Sequence, residues 1–321
     1  MKNILKHPVV KHRYFRKFVG IVILLLIFLV FGYRQFRQVI YIPEDGSAFR
    51  IDNYSLGKAG DKPFYQTDDD LRLLRELSLS DSKILYYFSK QYYKYYKKHY
   101  AKGKVMTQMV EVGKNQLPEI YDMVKDACKI LGVEKIPDIY ITNSRGTRLS
   151  VTNRLNPIIV ISSDLLWAFR PEELRFLLAR QVAHIRLEHL FYLDMLAGMR
   201  SFTEISLPKF VSRVIVGSVG VEMMQWYKEA EVSADRGALV VTGDIKVALQ
   251  ALVKLNIGAN YENYYSTVNI DAYLEQLSKL EEDRIETASA VIHELENPNP
   301  FITVRCRHLL SWYKENDAIF K

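Results

Sequence analysis

The first 43 residues contain no aspartate and no glutamate. The same stretch carries Lys2, Lys6, Lys11, Arg13, Arg16, Lys17, Arg34 and Arg37. Taking those eight from the 44 basic residues of the chain leaves 36, against 37 acidic ones. The formal net charge of +7 therefore belongs to the N-terminus, and the remainder is close to neutral. With no recognised module and no basic stripe beyond one tyrosine–lysine segment, the body argues against a nucleic-acid partner. No glycine-rich loop follows a strand, which argues against a nucleotide enzyme. No segment repeats at a fixed period. Only two cysteines occur, Cys128 and Cys306, too few to define a redox compartment. Cys128 falls in a helical period and reads as a buried thiol; its pairing with Cys306 stays open.

Charge of either sign is also missing from Phe18 to Tyr33, which reads FVGIVILLLIFLVFGY. These 16 residues fall short of the ~20 that a spanning helix usually needs. Tyr14, Phe15, Tyr33 and Phe36 can sit at the two interfaces, and Arg16, Lys17, Arg34 and Arg37 can snorkel outward. The segment reads as an uncleaved single-pass anchor. A cleaved signal peptide would want a small-residue site after the apolar run, and none follows. A buried soluble helix is the third reading. Six basic residues precede the run and two follow it. The positive-inside bias then places the N-terminus in the cytoplasm and the body outside.

Residues 44–80 hold EDG, GKAGDKP and TDDD, which read as turns and caps. Ser80 to about Tyr100 is helical and rich in tyrosine and lysine. It suits a helix packed by amphipathic rings, or an interfacial or partner-binding helix. Gln116 to Leu131 has a helical period, with Pro118 in its first turn and Gly132 at its end. Asp138–Thr142 reads as a short strand. The run Ile158-Ile159-Val160-Ile161 is β-branched throughout and reads as a second. Ser163 or Asp164 can cap a short helix through Trp167. Pro171-Glu172-Glu173 opens a long helix reaching Leu190, with acids at the positive end of its dipole. Phe210–Val221 is apolar but broken by Arg213, so it reads as a packed or membrane-touching helix. Helices continue from Met223 to Leu255 with a break near Gly243. Asn297-Pro298-Asn299-Pro300 is a turn before a final helix from Phe301 to Tyr313.

A small sheet among helices makes the fold class α+β. Three parts follow: residues 1–43 as basic N-terminus and anchor, 44–115 as linker and tyrosine-rich helical region, and 116–321 as the main domain.

The long helix reads PEELRFLLARQVAHIRLEHL. A zinc peptidase of the HExxH kind needs two imidazoles one turn apart on one face, a glutamate beside the first, and a third ligand from elsewhere. Here the five residues ending at His184 are RQVAH. Downstream, Glu231 opens EVSAD, which closes on Asp235. The ordered series NQLPEIYDMVKDACKILGV, PDIYIT, NPIIVISSDLLWAFRPEELRFLLARQVAHIRLEHL, AEVSADRGALVVTGD and PNPFITVRCRHLLSW runs from about Asn115 to Trp312. It resembles the zinc metallopeptidases that include HtpX and the CAAX prenyl-protein endopeptidase. The resemblance implies a mainly helical metallopeptidase-like domain with a small sheet.

Carried over residue by residue, His184 looks like the second zinc-binding histidine. Glu231 looks like the glutamate ligand, and Asp235 like its supporting aspartate. Arg180 stands where the first histidine should be, and Gln181 stands at the general-base position. Arg has no lone pair to lend a metal, and Gln cannot act as a carboxylate base. The site is therefore expected to be a degenerate metal site with no competent catalytic residue and no metal. Arg180 is expected to enter the vacated space and pair with Glu231. Glu188 is the alternative ligand, sharing a face with His184 at i,i+4. His189 is expected to turn away. The stretch His293-Glu294-Leu295-Glu296-Asn297 lacks a closing histidine. The family's substrate edge strand corresponds to Thr147–Thr152. Arg305 and His308 belong to its closing helix, with packing the expected role.

The function expected is that of a membrane-anchored, inactive metallopeptidase homologue that binds a peptide or partner protein and needs no cofactor. Two alternatives stand beside it. One is a zinc-dependent metalloendopeptidase with an unusual metal site. The other is a structural membrane component that keeps only the fold.

Overall fold

Five consecutive buried residues make Ile158–Ser162 a strand covered on both faces, and that strand (β4) sits inside the sheet. The computed structural model describes residues 62–79, 107–144, 146, 148–152, 156–194, 196, 209–257, 302–320 and the single positions 269, 272, 273 and 275. Side chains of residues 209–222 are outside that description. The strands before β4 are β1 (Met109–Val112), β2 (Asp138–Thr142) and β3 (Leu149–Thr152). Their spatial order is β1-β2-β4-β3. β2 runs parallel to β4, with Asp138 opposite Ile158 and Thr142 opposite Ser162. β1 and β3 flank this pair antiparallel, β3 with Leu149 opposite Ile161. Alternate residues of β4 serve two clusters. Ile159 and Ile161 enter the main core, while Ile158 and Val160 join Tyr140 on the other face.

The helices are α1 (Asp68–Leu79), α2 (Pro118–Leu131), α3 (Ser163–Ala168), α4 (Pro171–Arg186), α5 (Lys209–Thr242), α6 (Ile245–Ile257), α7 (Ile302–Glu315) and α8 (Asp317–Phe320). The fold among the described residues is thus mainly helical with one four-stranded sheet, in the α+β class. Pro118 and Gly132 bound α2 as the sequence predicts. Gly132 adopts φ 73°, and the Val133 amide closes back on the Cys128 carbonyl at 2.8 Å. Gly243, at φ 70°, separates α5 from α6. Asp244 then accepts from the amides of Lys246 and Val247 at 2.8 and 3.2 Å, starting α6.

Two local expectations are corrected. Residues 68–79 form a helix, not turns. Thr67 accepts the Asp70 amide at 3.0 Å as an N-cap, three acids occupy the first turn, and Leu73, Leu74 and Leu77 bury one face. Ser163 and Asp164 do not cap α3. The Asp164 carboxylate accepts from the Gly146 amide at 2.7 Å, and Ser162 holds both Gly146 and Arg148, so these side chains tie down the neighbouring loop.

α4 is central among the described elements, buried along nearly its whole length from Glu173 to His184. It packs on α2, α5 and α6, while α1 packs on α5. Its first turn is anchored by Glu173, which accepts from the Arg170 amide at 2.9 Å and from Lys254 at 2.7 Å. α4 and α5 come close together at Ala183 and Gly237. A Cβ on Gly237 would lie 2.9 Å from that of Ala183 and 3.0 Å from the Tyr65 ring. Both cysteines are buried free thiols, and burial pushes them up to about 11 for Cys128 and about 12 for Cys306.

Every described residue falls in a single compact unit within Ser55–Lys321. Residues 62–79, assigned from sequence to a linker region, lie in the same unit as the main domain. No helix among the described residues is long and apolar enough to cross a membrane. The apolar run Phe18–Tyr33, the tyrosine-rich segment 80–100, Thr147 and the stretch His293–Asn297 with the turn after it lie outside the described residues.

Candidate functional site

The face of α4 that turns toward α5 carries Arg180 and His184, one turn apart. The facing residues of α5 are Glu231 and Asp235, also one turn apart. All four are buried, so each charge must find its partner inside the protein. Arg180 donates from Nη2 to Glu231 Oε2 and from Nε to Asp235 Oδ1, the latter at 2.5 Å. The pairing of Arg180 with Glu231 expected from the sequence is therefore present.

A second guanidinium, from Arg305 on α7, closes the arrangement. Arg305 Nε reaches Asp235 Oδ2 at 2.8 Å, Nη2 reaches Asp235 Oδ1 at 2.7 Å, and Nη1 lies 3.1 Å from Glu231 Oε2. Two arginines and two carboxylates thus form a buried, charge-balanced cluster. Burial alone would raise the Glu231 carboxyl, but the charges of Arg180 and Arg305 hold it well below its ordinary range. Burial would strip the Arg305 charge, yet Asp235 and Glu231 raise its affinity for the proton instead. His308, paired with Arg305 in the sequence reading, is exposed on the same helix.

His184 Nε2 lies 3.3 Å from Glu231 Oε1. Burial lowers its pKa below the ordinary 6.5, against the pull of Glu231. Its other nitrogen, Nδ1, is 3.0 Å from His189 Nδ1. His189 was expected to turn away, and it does not. α4 ends at Arg186, Glu188 takes a left-handed φ of 59°, and the chain folds back so that His189 meets His184 side on. The same turn removes the premise for Glu188 as an alternative ligand. It is no longer on α4, so its spacing from His184 does not put both on one helix face.

Behind His189 stands Asp70, fully buried, with Oδ2 3.0 Å from His189 Nε2. Asp70 also accepts from Gln66 and from the Trp226 indole, each at 3.1 Å. Asp70, His189 and the site role of Arg305 were all missed by sequence reasoning. Gln181 is buried within the same helix. At the sheet, β3 pairs only with β4 among the described residues, so it is an edge strand. Its last residue, Thr152, donates to Asp194 at 2.7 Å, tying the edge to the segment that follows α4.

A central helix bearing a histidine, faced by a helix bearing glutamate and aspartate and flanked by a small sheet, is a metallopeptidase-like framework. The model of Peptidase family M48 matches residues 152–313, and the chain belongs to that family. The chain is 27% identical over 209 residues to "Plastoglobule-localized metallopeptidase 48, chloroplastic" of Arabidopsis thaliana, covering 63% of this chain and 59% of the relative. It is 31% identical over 83 residues to "Protease HtpX homolog" of Persephonella marina, covering 25% of this chain and 28% of the relative. The chain therefore spans less than two thirds of the length of either relative. No solved structure matches it significantly.

Proposed function

We propose that this chain is a non-catalytic M48 homologue, anchored to a membrane through the Phe18–Tyr33 run, that binds an extended peptide or partner protein without cleaving it. The observation that carries the reading is Arg180 bound to both Glu231 and Asp235. M48 peptidases imply a zinc ion, and the donor set here does not fit one. Arg180 offers only N–H donors and a fixed positive charge. Its guanidinium and that of Arg305 take the lone pairs of Glu231 Oε2. That leaves His184 and one oxygen of Glu231, a set too small to hold zinc well. Among the described residues no three His, Cys, Asp or Glu side chains converge as a metal would need.

The base position speaks the same way. Gln181 can orient a water but cannot take its proton, and losing general-base help typically removes about 10²–10⁴ in rate. Peptide binding is supported by the edge position of β3 in the sheet, the kind of strand that strand addition extends. The anchor is supported by the uncharged run and its basic flanks.

The test is elemental analysis of the purified full chain, with peptide-library cleavage and peptide binding measured on the same material. Substoichiometric zinc, no cleavage and saturable metal-independent binding are expected. Stoichiometric zinc with cleavage abolished by Glu231→Ala would overturn the reading.

A further inference from the structure

We propose that Trp167 and Arg148 select the peptide that adds to β3, Trp167 receiving an aromatic or large aliphatic side chain and Arg148 a carboxylate. The inference deepens the proposed function and rests on its peptide-binding part, since it names the chemical class of the peptide.

The edge strand is open at one end. Ser150 is exposed and Leu149 half-buried, whereas Val151 and Thr152 are buried. The Ser162 amide donates to the Arg148 carbonyl at 2.9 Å, so the Arg148 backbone faces β4. Facing alternates along an antiparallel ladder. The Leu149 amide and carbonyl therefore turn away from β4, toward the place an added strand would take.

Trp167 belongs to that same end. β4 runs directly into α3, whose Asp164 accepts from the Gly146 amide at 2.7 Å. This side of α3 is thus fastened to the chain that enters β3. Trp167 follows Asp164 by one turn and shares that side, while Leu165 and Ala168 bury the other. Trp167 is 82% exposed, more than any other large hydrophobic among the described residues. Phe64, at 53%, stacks on Trp312, but the Trp167 indole has no ring, cation or hydrogen-bond partner among the described residues. A rigid flat ring buries large area at low entropic cost, which is why tryptophan dominates many binding surfaces.

Charge narrows the occupant. Arg148, one residue before β3, is exposed, and no carboxylate pairs with it among the described residues. Its guanidinium offers the forked donors that match a carboxylate. A lipid surface would also suit an exposed tryptophan, but it would make no use of a strand edge.

The experiment is selection from a positional-scanning octapeptide library by the full chain and by its Trp167→Ala and Arg148→Gln variants. The native chain should select an aromatic or large aliphatic residue at one position and an acidic residue at another. Trp167→Ala should lose the first preference and bind the selected peptide about tenfold or more weakly. Arg148→Gln should lose only the second, with binding about twofold to fivefold weaker. Trp226 and Trp312 are buried, so acrylamide quenching of the native chain reads mainly Trp167, and the selected peptide should shield it. Unchanged selection in Trp167→Ala would overturn this inference and leave peptide binding standing. No selection by the native chain would overturn the peptide-binding reading too. Quenching by vesicles of brominated phosphatidylcholine that the peptide does not relieve would assign the ring to lipid and overturn the inference. Should a variant fail to fold, shielding of Trp167 in the native chain still decides.

Discussion

Arg305 grips both oxygens of Asp235, Nε on Oδ2 at 2.8 Å and Nη2 on Oδ1 at 2.7 Å. The two-pronged contact joins α7 to α5 and holds Asp235 where Arg180 also reaches it. Replacing Arg305 with leucine would leave one guanidinium for two buried carboxylates. Breaking a buried pair from one side typically costs about 3–5 kcal/mol. Urea denaturation of the Arg305→Leu chain, followed by tryptophan fluorescence, should show a loss of that order. A loss under about 1 kcal/mol, the range of exposed pairs, would mean the cluster is wetter than its burial indicates.

Restoring the missing zinc-motif residues should convert the site. Arg180→His combined with Gln181→Glu removes a fixed cation and supplies an imidazole one turn before His184. Isothermal titration should then detect zinc uptake at one ion per chain, with none in the native protein. The single Gln181→Glu change should not bind zinc, because Arg180 still occupies Glu231.

Acid should weaken the fold through Glu231. Its folded-state carboxyl lies well below the ordinary 4.5, so the unfolded chain takes up the proton first. The stabilisation is fully present above about 4.5 and is lost as pH falls toward the depressed folded value. Unfolding free energy measured from pH 7 down to pH 3 should drop across that window. The drop should be shallower in Glu231→Gln, which has no proton to take up there. An equal slope in both proteins would contradict the assignment.

Gly237 should tolerate no side chain. Even alanine places its Cβ 2.9 Å from Ala183, which cannot swing aside. Overpacking of this kind typically costs about 1–3 kcal/mol. Thermal melts of Gly237→Ala should show the loss, and a compensating Ala183→Gly should recover part of it.

Much of the scaffold was legible because its signals are local. The β-branched run at Ile158 gave a strand, Pro118 and Gly132 bounded a helix, and Gly243 broke one. Arg180, Gln181, His184, Glu231 and Asp235 were reached through the resemblance to the zinc metallopeptidase family, carried over residue by residue onto two helices. What stayed hidden depended on long-range contacts or one backbone angle. Helical spacing sent His189 away from His184, and the left-handed Glu188 brings it back. The same residue undid the case for Glu188 itself. Asp70 read as one of three capping acids, and nothing in TDDD reveals that it meets a histidine 119 positions later. Arg305 was read as packing because its partners lie 70 residues upstream. α1 was missed for a different reason: its leucine pattern is local, but the acidic run before it suggested a loop.

The contact of α1 with the rest has a practical consequence for anyone cutting the gene. A recombinant fragment that starts where the family match starts, at Thr152, would discard β1, β2, α2 and the helix that carries Asp70. The indole of Trp226 would lose its acceptor and the apolar side of α5 its cover. Such a fragment would expose greasy surface and aggregate, and its failure to bind metal or peptide would say nothing about the intact protein.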